Sequence, residues 1–131
     1  MKYLSHYVEA KQTQLFNDTG AFFAFSQDQF ERSSVDGVVY TSMGSAMVCP
    51  SDNAKMLSDG LSTIHSDGIA EDIAENGLSA IIQRELGNHE AQITGDIDDT
   101  VDALSAYNVT REMVQEEYKQ FFQDCIDNDW F

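Results

Sequence analysis

The sequence is short of positive charge. Seven lysines and arginines stand against 23 aspartates and glutamates in 131 residues, a formal charge of −16. This scarcity argues against direct nucleic-acid binding, because such partners are dense lines of negative charge that Lys and Arg must neutralise. It also argues against an anionic membrane surface. Cysteine occurs only twice, at Cys49 and Cys125. Two cysteines so far apart do not make a disulfide framework. Both lie in apolar surroundings, Met47-Val48-Cys49 and Phe122 to Ile126, and read as buried reduced thiols. No run approaches the roughly 18 apolar residues of a membrane span. The start, Met1-Lys2-Tyr3-Leu4-Ser5-His6-Tyr7, lacks the continuous apolar stretch of a secretory signal. The expected compartment is therefore cytoplasmic. No glycine-rich phosphate loop is present, so no cofactor is expected.

What the chain does have is a core. Hydrophobic residues make up 42% and aromatics 11%, including eight Phe and five Tyr. That is too much apolar mass for a disordered acidic tail. The length suits one compact domain over 1–131. The acids are unevenly placed. Residues 1–65 carry 7 acids and 4 bases, whereas residues 66–131 carry 16 acids and 3 bases, Arg84, Arg111 and Lys119. Carboxylates left without partners are costly to bury, so most of the second half's acids must face solvent or a positive partner.

The periodicity predicts an α+β fold, mostly helical, with one small β-hairpin and an amphipathic C-terminal helix. Leu4, Tyr7, Val8, Lys11 and Leu15 fall at helical spacing over 3–16, and Asn17-Asp18-Thr19-Gly20 stops them. Ala21-Phe22-Phe23-Ala24-Phe25 reads as core, either a short buried strand or a helix entry. Ser26 is placed to cap a short helix through Phe30. Val38-Val39-Tyr40-Thr41 and Ala46-Met47-Val48-Cys49 read as paired strands around a Met43-Gly44-Ser45 turn, ended by Pro50. From Asp52 the pattern is helical, with Gly68 and Gly77 as punctuation. Residues 87–100 read as the most loop-like stretch. Thr110 is placed to cap the last helix, on which Val114, Tyr118, Phe121, Phe122 and Cys125 share one face. Trp130-Phe131 reads as a final core plug or as part of a contact surface.

Candidate sites follow from the acids. Glu112, Glu116, Glu117, Asp124 and Asp127 form a negative ridge on the last helix, and Asp96, Asp98, Asp99 and Asp102 join them as a proposed interaction surface. Such a surface attracts basic grooves and speeds encounter with them. Asp96-Ile97-Asp98-Asp99-Thr100 also matches the D-x-D-x-[TV] motif of the haloacid-dehalogenase-like phosphatases, whose chemistry uses a nucleophilic Asp, a second Asp as acid and base, and Mg²⁺. The preceding Glu90-Ala91-Gln92-Ile93-Thr94 is a poor strand for that motif, and the plainer reading is that Asp98 or Asp99 caps a helix carrying Val101 and Leu104. His89-Glu90 with the aspartates of 96–102 does not match an EF-hand. No specific metal site and no catalytic residue is expected.

Two stretches, Thr19-Gly20-Ala21-Phe22-Phe23-Ala24-Phe25-Ser26 with Gln29-Phe30, and Arg84-Glu85-Leu86-Gly87-Asn88-His89-Glu90, carry a resemblance. The chain resembles small uncharacterised acidic proteins of bacteriophages and mobile elements of gut Bacteroides-like bacteria. The resemblance implies a phage-type setting in a host cytoplasm, where small acidic proteins act against host or defence proteins that bind nucleic acid, CRISPR machinery among them. It implies no catalytic residue. The first expectation is thus an inhibitor-like interaction protein with a basic partner and no membrane partner. The second is a structural or assembly protein using the aromatics of 118–131. The third is a small metal-dependent hydrolase at Asp96 and Asp98.

Overall fold

A computed structural model describes all residues from Met1 to Phe131. The fold is α+β and mostly helical, with a small antiparallel sheet and a long C-terminal helix. Packing divides the chain into two compact units, residues 1–68 and 69–131.

The first unit begins with α1, Leu4–Thr19. Gly20 ends it at φ 78°, where its N–H donates to the Phe16 carbonyl. This is the left-handed C-terminal cap that glycine adopts without a Cβ clash. The aromatic run that follows forms a strand of only two residues, β1, Phe22–Phe23. Ser26 then caps α2, Gln27–Ser33, by accepting from the Gln29 N–H. The hairpin strands are β2, Tyr40–Gly44, and β3, Met47–Pro50. Both β1 and β2 pair antiparallel with β3, giving the order β1-β3-β2.

The structure sharpens the sequence reading here at three points. Of the two readings of the aromatic run, the strand is the one formed, and β1 joins the hairpin as a third strand. The tight turn is Ser45-Ala46, at φ 52° and 65°, overlapping the expected Met43-Gly44-Ser45 only at Ser45. Gly44 pairs with Met47, and the register shifts between Ser42 and Gly44, so Met43 is the extra residue of a bulge. A serine and an alanine carry none of the Asn-Gly signature of such turns, which hid the position. Finally, the aromatic run is only half core. Phe22 packs edge-on to Tyr40 and near Phe30, whereas Phe23 is 48% and Phe25 75% exposed. Successive strand residues point to opposite faces, so a run of consecutive aromatics cannot all turn inward on a single sheet.

After a short 3₁₀ turn at Ser51–Asn53, α3 runs from Ala54 to Asn76. Gly60 and Gly68 do not interrupt it. They are the places where α1 comes close: a Cβ at Gly68 would lie 2.4 Å from Val8 Cγ1, and one at Gly60 would lie 2.7 Å from Leu15 Cδ2. Glycine costs a helix roughly 1 kcal/mol against alanine, and close backbone approach offsets that cost. The Asn53 side chain donates to the Thr19 carbonyl, fixing the end of α1 to the start of this segment.

In the second unit Gly77, at φ 78°, breaks the helical path, and α4 follows over Leu78–Asn88. The stretch read as loop-like contains two short helices, α5, Ala91–Thr94, and α6, Asp98–Ala103. The final helix α7, Arg111–Asn128, is capped by the Thr110 side chain, which accepts from the Met113 N–H. Its inner face is narrower than its spacing implied: Val114, Phe121 and Cys125 are buried, whereas Phe122 is exposed. They join Ile81, Ile82 and Leu86 of α4, together with Ala91 and Leu104, in the core of this unit.

Candidate functional site

The candidate acids of the second unit fall in two sequence groups, Asp96 to Asp102 and the acids of α7. Asp96, Asp98 and Asp102 gather around Arg111 at the N-terminal end of α7. Arg111 Nη2 bonds Asp98 Oδ1 at 2.7 Å, and this bond first, then the charges of Asp98, Asp102 and Asp96, raises the guanidinium pKa. The α6 helix is started by neither Asp98 nor Asp99. Ile97 holds the N-cap position, and the Asp96 carboxylate, just before it, accepts from the Asp98 N–H at 2.8 Å. The expected cap is therefore replaced by a turn built on Asp96, with Asp98 and Asp99 in the first helical turn, where carboxylates suit the helix dipole.

Along α7 the acids form a ridge, with Glu112, Glu116 and Asp127 exposed. The ridge is interrupted by local partners. Lys119 reaches Glu116 at 3.4 Å, Gln120 donates to Asp124, and Gln123 donates to Asp127. Glu117 is half-buried and accepts from Gln83 of α4 at 2.9 Å. Glu112 and Asp127 are fifteen residues apart in the sequence, which on a helix is about 22 Å.

The feature that sequence reasoning missed lies beneath this surface. Asp72, near the end of α3, is completely buried. Arg84 of α4 meets it with both terminal nitrogens, at 3.0 and 3.1 Å. The Tyr107 hydroxyl donates to Asp72 Oδ2 at 2.5 Å, and the Asn76 amide donates to Oδ1 at 2.9 Å. Arg84 Nε also bonds Glu85 at 3.1 Å. Burial alone would raise the Asp72 pKa, but the hydrogen bonds from Arg84, Tyr107 and Asn76 outweigh it and hold the carboxyl below its ordinary value. Burial would likewise lower Arg84, but the bonds to Asp72 and Tyr107 reverse the direction and raise it. Tyr107 is pushed up by burial first and by its bond to Asp72 second. Asp72, Arg84 and Tyr107 each find partners within the network, which makes it an internal brace. One signal pointed to it: Arg84 is a base among the apolar residues Ile81, Ile82 and Leu86 of one amphipathic helix. Its acid partner, twelve residues earlier on another helix, left no local trace.

No group of three or more His, Cys, Asp or Glu residues is arranged to hold a metal ion. Asp96 and Asp98, the pair of the phosphatase-like motif, are tied instead to a helix start and to Arg111. Cys49 and Cys125 are free and buried. Desolvation raises both thiols, which disfavours the reactive thiolate at neutral pH. No helix is long and apolar enough to cross a membrane.

A family of unknown function, DUF7659, matches over residues 4–124. The chain belongs to that family. No curated protein and no solved structure matches it.

Proposed function

We propose that this DUF7659 protein is a non-enzymatic interaction protein whose acid-rich second unit docks on a basic protein surface. The groove of a nucleic-acid-binding host or defence protein is the surface of matching chemistry, and occupying it would inhibit that protein. One observation carries the reading. Residues 69–131 hold 15 acids and three bases, and all three bases are already engaged: Arg84 with Asp72 and Glu85, Arg111 with Asp98, and Lys119 with Glu116. Only Asp72 among those acids is fully buried. The acids outnumber the bases of this unit by twelve, and that net negative charge acts outward, where it steers a positive partner. Such binding weakens with salt, since exposed charges reach only about 8 Å at physiological ionic strength.

The test is affinity capture from the native host or infected culture with elution by a salt gradient, followed by association kinetics with the captured protein. Reversing Glu112, Glu116 and Asp127 to lysine is expected to slow association about tenfold or more at low salt, with the dissociation rate changing less. Unchanged association would reject this surface.

A second reading rests on the C-terminal aromatics. Trp130 is 55% and Phe131 60% exposed, so the pair is not a core plug. Phe131 sits edge-on to Phe122, which in turn lies tilted against Tyr118. An assembly held there would be insensitive to salt and lost on changing Trp130 and Phe131 to serine, as read by sedimentation equilibrium.

A further inference from the structure

The first unit contains a cleft that the acidic surface does not explain. It has a volume of about 340 Å³ and opens to solvent. One wall is α1, where Glu9, Gln12, Thr13 and Phe16 fall at i, i+3, i+4 and i+7 and so share a face. Phe23 of β1, Met47 of β3 and Leu61 of α3 complete the lining. Phe16 and Phe23 lie with ring centroids 5.3 Å apart, and Phe25 stacks on Phe23 at 6.3 Å with an interplanar angle of 12°.

The lining divides by chemistry. Phe16, Phe23, Met47 and Leu61 supply an apolar, partly aromatic interior. Gln12 and Thr13 supply hydrogen-bonding groups, and Glu9 is the only charged residue. Its carboxylate is exposed and takes part in none of the ion pairs that tie up acids elsewhere in the chain. No base lines the cleft, so an anionic ligand would find no countercharge there and would meet the field of a −16 molecule on approach. The size falls at the low end of small-molecule sites, which are typically apolar pockets with a few orienting polar groups. A flat apolar body finds a matching surface against Phe16, Phe23, Met47 and Leu61. A cationic head gains from the Glu9 carboxylate and from the aromatic faces, which attract cations through their quadrupole.

We propose that the cleft between α1, β1 and β3 binds a small aromatic primary amine, with the ring seated against Phe16, Phe23, Met47 and Leu61 and the ammonium on Glu9. This site is independent of the acidic docking surface, and either reading stands if the other falls.

The test uses the full chain labelled with ¹³C at its methionine methyls. Tryptamine is titrated while the Met47 methyl is followed by NMR, with tryptophol and indole-3-propionate as uncharged and anionic counterparts. Met1, Met43, Met56 and Met113 report on unspecific attraction of a cation to an acidic protein. The expected result is a saturable shift at Met47 with tryptamine, at a Kd about fivefold or more below that for tryptophol, and no saturation with indole-3-propionate. Glu9→Gln, a change at an exposed position, is expected to erase the advantage of the amine while leaving tryptophol binding in place. Leu61→Trp is expected to fill the cleft and abolish both responses in a protein whose circular dichroism is unchanged. The proposal is overturned if the Met47 methyl does not shift saturably, if tryptamine and tryptophol bind alike, or if the preference survives Glu9→Gln.

Discussion

The two units solve the problem of charge differently. Residues 1–68 carry 8 acids and 4 bases, build the sheet, and leave large aromatics such as Phe23 and Phe25 in the open. Residues 69–131 carry 15 acids and three bases, contain no strand, and spend one of the three bases on a buried carboxylate. The first unit is held by close backbone approach and aromatic contacts, and its accessible chemistry is apolar. The second is held by an aliphatic core and an internal ion pair, and its accessible chemistry is negative. Stability and recognition therefore draw on different residues in each unit, and substitutions can separate them.

The sharpest break is Arg84→Met. It leaves Asp72 charged and buried without its partner, and it should destabilise the second unit by about 3–5 kcal/mol, measured by urea unfolding. The double change Asp72→Asn with Arg84→Met should cost less than Arg84→Met alone, because the stranded charge is gone. A loss under about 1 kcal/mol for the single change would show that water reaches the pair.

Gly68→Ala attacks the first unit. The added methyl meets Val8 at a distance no real contact permits, and a loss of about 1–3 kcal/mol is expected. Combining it with Val8→Ala should recover part of that loss, which a double-mutant cycle would read as favourable coupling.

The pH dependence probes the second unit alone. Asp72 has a depressed pKa, so its contribution is present above the unfolded carboxylate value and is lost as pH falls through the lower folded one. Tyr107 has a raised pKa, so its contribution is present below the unfolded phenol value and is lost as pH rises through the higher folded one. Stability followed by near-ultraviolet circular dichroism should decline at both extremes. Tyr107→Phe should flatten the alkaline decline and weaken the native state, since Asp72 loses a donor.

The smallest effect is expected in the hairpin. Ala46 is held at φ 65°, a conformation that costs a residue with a Cβ about 1 kcal/mol. Ala46→Gly should raise the thermal midpoint slightly, by about 0.5–1 kcal/mol of stability.

Much of this fold was legible in the sequence, and the reasons are local. Ser26 and Thr110 were readable as caps because a cap is decided within four residues. The first helix, the hairpin and the last helix announced themselves through periodicity. What escaped depended on partners distant in sequence or on space. Gly68 looked like punctuation and Gly60 drew no reading, because nothing in the sequence places α1 against them. Asp72 looked like one more surface acid among 23, since its burial depends on Arg84 and Tyr107. Of the candidate residues, Asp96, Asp98 and Asp102 lie near enough to Arg111 to raise its pKa, and Asp99 is not among them. On α7, Lys119 pairs with Glu116, whereas Glu117, Asp124 and Asp127 accept from neutral glutamine amides and keep their charge.

The glycine at position 60 sits beside Leu61, on the floor of the aromatic cleft, and it lets Leu15 of α1 settle almost onto the α3 backbone. Leu15 meets that glycine with the tip of a flexible side chain, so a methyl group at residue 60 would be answered first by rotation of Leu15, and the packing behind the cleft would change without altering one residue of the lining.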